Sequence, residues 1–164
     1  MYIIIAAIGK NNELGKDNKL LWSLPGDLKF FKNTTLNSNI IMGKNTFESL
    51  PGILPKRKHI VLTHSGLNIE NENLVVYNDL ESLRKDFDNS LEDIYICGGA
   101  SIYKLFLPLC DKMYLTEVQK EEKDADTYFP EFDKENWERK VILISEDNGI
   151  KYNIVEYVKK GKNI

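Results

Sequence analysis

Ile94-Tyr95-Ile96-Cys97-Gly98-Gly99-Ala100-Ser101-Ile102-Tyr103 reads as an apolar strand, a double glycine and the start of a helix. A strand apolar on both faces belongs inside a sheet that is covered on both sides. A helix that follows it at once marks an α/β crossover. Outward from this stretch, the same alternation recurs. Strands are expected over residues 2–8, 39–42, 59–63, 74–77, 93–97 and 112–117, and helices over 25–36, 46–50, 79–87 and 101–107. Residues 137–145 and 151–158 alternate as strands instead, and Asp147-Asn148-Gly149 between them suits a hairpin turn. The expected fold is α/β: one domain over residues 1–164 with a mixed, mainly parallel twisted sheet, flanking helices and a C-terminal antiparallel hairpin. In such sheets ligands bind beyond the carboxyl ends of the strands.

The length of 164 residues suits one globular domain. Apolar residues make up 42% and charged residues 29%, which argues against disorder. Charges of both signs are interspersed at a net −3, so a nucleic-acid partner is not expected. Cys97 and Cys110 do not form a Cys-x-x-Cys pair and are expected as reduced thiols. His59 and His64 lack further ligands for zinc, so no metal is expected. The apolar start has no basic region before it and reads as a buried strand rather than a leader. No run approaches the ~20 apolar residues needed to span a bilayer. A cytoplasmic monomer without membrane contact is the expectation.

Asp27 is the most informative side chain. Pro25 suits a first helical turn. Leu24, Leu28, Phe31 and Thr35 then form a stripe expected to face inward, and Asp27 falls within it. An unpaired carboxylate there would cost several kcal/mol. Either Asp27 is a partly solvated first-turn acid, favoured by the helix dipole by ~0.3–1 kcal/mol, or it meets a ligand with paired N–H donors. The edge of a 2-amino-4-oxopteridine presents such a pair, and Phe31 one turn later would lie over its flat ring.

Three strand ends carry phosphate-compatible groups. Gly98-Gly99 lets backbone approach a ligand, with helical N–H groups following. Gly43-Lys44-Asn45-Thr46 offers a cation and a hydroxyl, but lacks the upstream glycine of a P-loop. Thr63-His64-Ser65 adds polar groups. Each taken singly also fits an ordinary tight turn or a solvated lysine. Residues 11–18, rich in Gly, Asn and Lys, are expected to be irregular and to form a candidate lid.

From residue 1 to about 158 the chain resembles bacterial dihydrofolate reductases of the monofunctional, chromosomal type. The resemblance rests on Ile5-Ala6-Ala7, Leu14-Gly15, Trp22-x-Leu24-Pro25-x-Asp27-Leu28, Ile41-Met42-Gly43-Lys44-x-Thr46-Phe47-Glu48-Ser49, Leu54-Pro55-x-Arg57, Gly98-Gly99-x-x-x-Tyr103, Leu115-Thr116 and Asp126-Thr127-Tyr128-Phe129-Pro130. It implies NADPH as cofactor, dihydrofolate as substrate, and hydride transfer to pterin C6 with protonation at N5, no side chain acting as direct donor to N5. Asp27, helped by Thr116, would hold the pterin, and Trp22 would position a water. Ile5, Ala7, Leu28, Phe31, Leu50, Leu54, Cys97 and Tyr103 would wall the substrate cleft, and Arg57 would clamp the carboxylate of the glutamate tail. Ala7, Leu14, Gly15, Lys16 and Asn18 would lie toward the nicotinamide. Lys44, Asn45, Thr46, Thr63, His64, Ser65, Gly98, Gly99, Ala100, Ser101 and Ile102 would hold phosphates and ribose.

This chain departs from the family pattern in places. Leu20 stands where many relatives carry Met. Ala100 and Ser101 replace a glycine and a basic residue, which leaves Lys44 and His64 as partners for the 2′-phosphate. Gly52 replaces a second Arg in some relatives, and residues 119–125 are one longer than in some. A reductase of a riboflavin-pathway pyrimidine would share the architecture, but Asp27 and Arg57 favour folate. A binding module without turnover would lack a catalytic position, and none is missing.

Overall fold

The computed structural model describes residues 1–17 and 19–161. Eleven strands and four helices alternate along them. The parallel body consists of β1 (Tyr2–Ile8), β4 (Asn39–Gly43), β5 (Lys58–Leu62), β6 (Leu74–Tyr77), β7 (Ile94–Ile96) and β8 (Lys112–Val118). The helices are α1 (Pro25–Thr34), α2 (Lys44–Ser49), α3 (Leu80–Phe87) and α4 (Ala100–Phe106). The hairpin of β10 (Trp137–Asp147) and β11 (Ile150–Lys159) closes one edge, with β11 antiparallel to β8. The sheet order is β10-β11-β8-β1-β7-β4-β5-β6.

The two-sided apolar strands explain this arrangement. Ile4, Ile41, Ile60 and Ile96 face α3 and α4, meeting Leu83, Ile102 and Phe106. Ile3, Ile5, Ile40, Met42 and Val61 face the opposite side, against Phe30, Phe31 and Phe47 of α1 and α2. Each such buried side chain contributes roughly 1.5–3 kcal/mol of transfer free energy. At the hairpin tip Asn148 and Gly149 both take positive φ, 54° and 78°, as the turn expected there requires. Among the described residues no helix is long and apolar enough to cross a membrane.

Three expectations are corrected. Residues 11–17 are not wholly irregular. Glu13–Lys16 forms β2, which pairs with β3 (Lys19–Leu20) and β9 (Thr127–Tyr128) in a small second sheet. Its β9 partners lie more than 100 positions away and its local partner β3 is only two residues long, so no local pattern announces it. α2 begins at Lys44 rather than Thr46, which places Lys44 and Asn45 in its first turn. α1 stops at Thr34, and Asn37 beyond it is left-handed with φ 59°.

Candidate active site

Strand β1 sits at the centre of the sheet, and the site gathers where its carboxyl end meets those of its neighbours. Ala7 pairs with Thr116 on β8. Across from them, α1 carries Asp27, and the Thr116 hydroxyl donates to Asp27 Oδ1 at 2.5 Å. The half-buried carboxylate is thus partnered. Burial pushes the Asp27 pKa up, the Thr116 hydrogen bond pulls it down, and the negative charge of Asp147 pushes it up again; the net direction is upward.

An apolar wall adjoins this acid. Ile5, Phe31, Leu50, Leu54 and Cys97 belong to one packed cluster. Leu28 does not join them. It is 53% exposed, contrary to the inward stripe, and α1 has no fully buried side chain. Burial raises the Cys97 thiol pKa far above its ordinary value, so this cysteine serves as an apolar wall. Trp22 packs beside Leu24, Val118 and Tyr152 just ahead of the helix turn that carries Asp27.

Arg57 is 7% exposed and firmly anchored. Its Nε donates to Thr35 Oγ1 at 2.9 Å and its Nη1 to the Pro55 carbonyl at 2.6 Å. Its Nη2 donates to the Lys32 carbonyl. Of five guanidinium N–H groups, one on each terminal nitrogen stays available for a carboxylate. His59, fully buried beside this segment, accepts the Leu54 N–H at Nε2, 3.2 Å away.

On the other side of Ala7 a cleft of about 1210 Å³ runs along the strand ends. It is lined by Leu14, Gly15, Lys44, Asn45, Thr46, Thr63, His64, Ser65 and Gly98 through Ile102, together with Leu50, Cys97 and Tyr103. Lys44 Nζ donates to Ser65 Oγ at 3.3 Å, and Ser65 Oγ lies 3.2 Å from Thr63 Oγ1. The polar groups of two strand ends therefore form one cluster. Backbone fills the third: a side chain at Gly98 would start 3.2 Å from the Tyr103 hydroxyl. Tyr103 itself is held by a 2.8 Å bond to the Ile5 carbonyl. A cation, three hydroxyls and close-approaching backbone along one groove suit a dinucleotide with its phosphates.

Lys16 is exposed and does not line the cleft, and Asn18 lies outside the described residues. Several lining residues escaped the sequence reading. Ser49, Pro51 and Leu62 flank positions it had named. Asp79 and Leu80 follow β6, whose carboxyl end the strand-end rule already pointed to. Lys19, Leu20 and Thr127 belong to the small sheet; Leu20 and Thr127 were noted in the comparison with the family pattern, but not as lining residues.

That small sheet also ties the segment after β1 to residues 120–129. Asp17 N donates to Asp126 Oδ2 at 3.0 Å and Asp126 N to the Gly15 carbonyl at 3.1 Å. Glu13, only 1% exposed, accepts Asn11 N at 2.6 Å and Glu122 N at 2.5 Å. Burial would raise the Glu13 pKa, but the N–H groups of Glu122, Glu13 and Asn11 outweigh it and hold the group below its ordinary value. These bonds couple the two segments.

A family model described as dihydrofolate reductase matches residues 1–159. A dihydrofolate reductase of Haemophilus influenzae is 40% identical over 84% of this chain and 83% of its own. One from Bacillus subtilis is 37% identical over 99% of this chain and 97% of its own. Among solved structures, a dihydrofolate reductase from Enterococcus faecalis complexed with NADP(H) and RAB-propyl superposes with TM-score 0.86. It shares 32% identity and covers 98% of this chain and 96% of its own.

Proposed function

The chain belongs to the dihydrofolate reductase family, and from that premise we infer how its own residues carry out the NADPH-dependent reduction of dihydrofolate to tetrahydrofolate. Bound along the strand ends, NADPH supplies the hydride that reaches pterin C6. Lys44, Thr46, Thr63, His64 and Ser65 hold its phosphates, the 2′-phosphate falling to Lys44 and His64. Gly98 and Gly99 let backbone approach it, and Ala7, Leu14 and Gly15 border its reacting end.

Asp27 and Thr116 take the pterin edge. The carboxylate accepts paired N–H groups, each bond contributing about 1.5–3 kcal/mol when charge-assisted. Ile5, Phe31, Leu50, Leu54 and Cys97 sandwich the ring and exclude water, while Arg57 uses its two spare N–H groups on the tail carboxylate. Trp22 positions a water near Asp27. Burial makes the Asp27 carboxyl easier to protonate than an ordinary one. The protein's main contribution is to align two flat rings face to face.

The reading extends to a single domain over residues 1–164, acting as a cytoplasmic monomer. The observation that carries it is the Asp27–Thr116 pair, one strand partner away from Ala7, which lines the dinucleotide cleft with Gly98 and Gly99. The test is loss of NADPH absorbance with and without dihydrofolate. Loss only when dihydrofolate is present supports it; equal loss without it contradicts it.

A further inference from the structure

The catalytic helix starts without a cap of its own. Its N-cap residue is Leu24, whose side chain accepts nothing, and Pro25 has no N–H to satisfy. The Leu28 N–H already bonds back to the Leu24 carbonyl at 3.0 Å. The N–H groups of Gly26 and Asp27 remain ahead of the helix's own ladder, and that of Gly26 lies one position before the acid. It donates at 2.8 Å to Asp147 Oδ2, a carboxylate 121 residues away at the tip of the C-terminal hairpin.

This contact is built rather than incidental. Tyr152, 1% exposed, donates its hydroxyl to the same Asp147 oxygen at 2.6 Å. Asn148 Nδ2 donates to the Ser23 carbonyl at 3.2 Å, gripping the chain as it enters the helix. Glycine at position 26 makes room: a Cβ there would lie 2.3 Å from the Tyr152 hydroxyl and 3.0 Å from Asp147 Oδ2.

We propose that Asp147 is a positioning residue for the reduction, a remote cap that fixes the first turn of α1 and with it the Asp27 carboxylate. The proposal rests on the reading of Asp27 given above. Two consequences follow from one contact. The cap fixes where the Asp27 carboxylate points relative to Thr116. The cap's negative charge also opposes a second negative charge at Asp27. The ionisable and polar groups facing Asp27 are Asp147 of β10, Tyr152 of β11, Thr116 of β8 and Tyr103 of α4, none of them a cation.

Asp147→Asn separates the two effects, since the amide keeps an oxygen for Gly26 N–H but loses the charge. In that variant the alkaline limb of the pH profile of kcat/KM should move to lower pH by about 0.5 unit, costing about threefold in rate along that limb. The carboxyl carbon resonance of Asp27 in the ligand-free protein should titrate lower in parallel. Asp147→Ala should add a rise in KM for dihydrofolate, and Gly26→Ala should copy the acid shift with both carboxylates still present. Tyr152→Phe, which keeps the charge, should leave the midpoint near that of the native protein. An Asp147→Asn variant whose profile and resonance both titrate where the native ones do overturns the proposal. The native protein's dependence on dihydrofolate, measured beside it, tests the underlying reading separately.

Discussion

The Thr116 hydroxyl and the Asp27 carboxylate meet at 2.5 Å between the carboxyl end of strand β8 and the first turn of helix α1. Burial alone would push the acid far toward its neutral form. The hydroxyl stabilises the anion and limits that push. Thr116→Val should therefore raise the Asp27 pKa further and move the alkaline limb of the rate profile to higher pH. It should also lower kcat/KM for dihydrofolate roughly tenfold or more, the worth of one charge-assisted bond. A pH profile that shifts to lower pH would contradict this sign.

Because the pKa of Asp27 is raised in the folded protein, protonated Asp27 is compatible with the fold and ionised Asp27 opposes it. Its favourable contribution is present below the ordinary carboxylate value and lost as pH rises through the folded one. Asp27→Asn should melt higher than the native protein at neutral pH, both without ligands, and the gap should close toward acid pH. Thermal unfolding at the two pH values decides it; a gap that widens on acidification would be wrong for this account.

Glu13 carries the opposite sign. Held below its ordinary pKa, it stabilises above the ordinary carboxylate value, and that contribution is lost as pH falls through the folded value. Glu13→Ala strands the N–H groups of Asn11 and Glu122 and should cost about 2 kcal/mol. Amide exchange should quicken in residues 11–17 and 120–126 while the central strands keep their protection. Uniform quickening across the whole sheet would show that Glu13 serves the global fold rather than these two loops.

Arg57 works on two fronts. Arg57→Lys removes the fork that joins Thr35, Pro55 and Lys32, so some stability should go with it. KM for dihydrofolate should rise about tenfold or more, while a pterin without a glutamate tail should feel far less. An equal rise for both substrates would remove the clamp from the mechanism.

Much of this was legible in the sequence, for identifiable reasons. Strands apolar on both faces, such as Ile3-Ile4-Ile5 and Ile40-Ile41-Met42, have few places to go except a covered sheet, and Asn148-Gly149 encodes its turn through backbone conformation alone. Asp27 stood out because a carboxylate on an apolar stripe demands a partner. Leu28 misled because periodicity separates apolar from polar faces but does not say how much of an apolar face the sheet covers. Strand β2 was missed because its one local partner is a two-residue strand and its other partner lies near residue 127. The cap from Asp147 had no signal either, since nothing near Gly26 in the chain names a partner at the far hairpin.

The most direct test is the steady-state rate of dihydrofolate-dependent NADPH oxidation by Asp27→Asn at neutral pH, with the fold checked by circular dichroism. A folded variant that has lost most of its turnover is the predicted result. A folded variant that turns over at the native rate would show that the carboxylate in this cleft has no part in the chemistry.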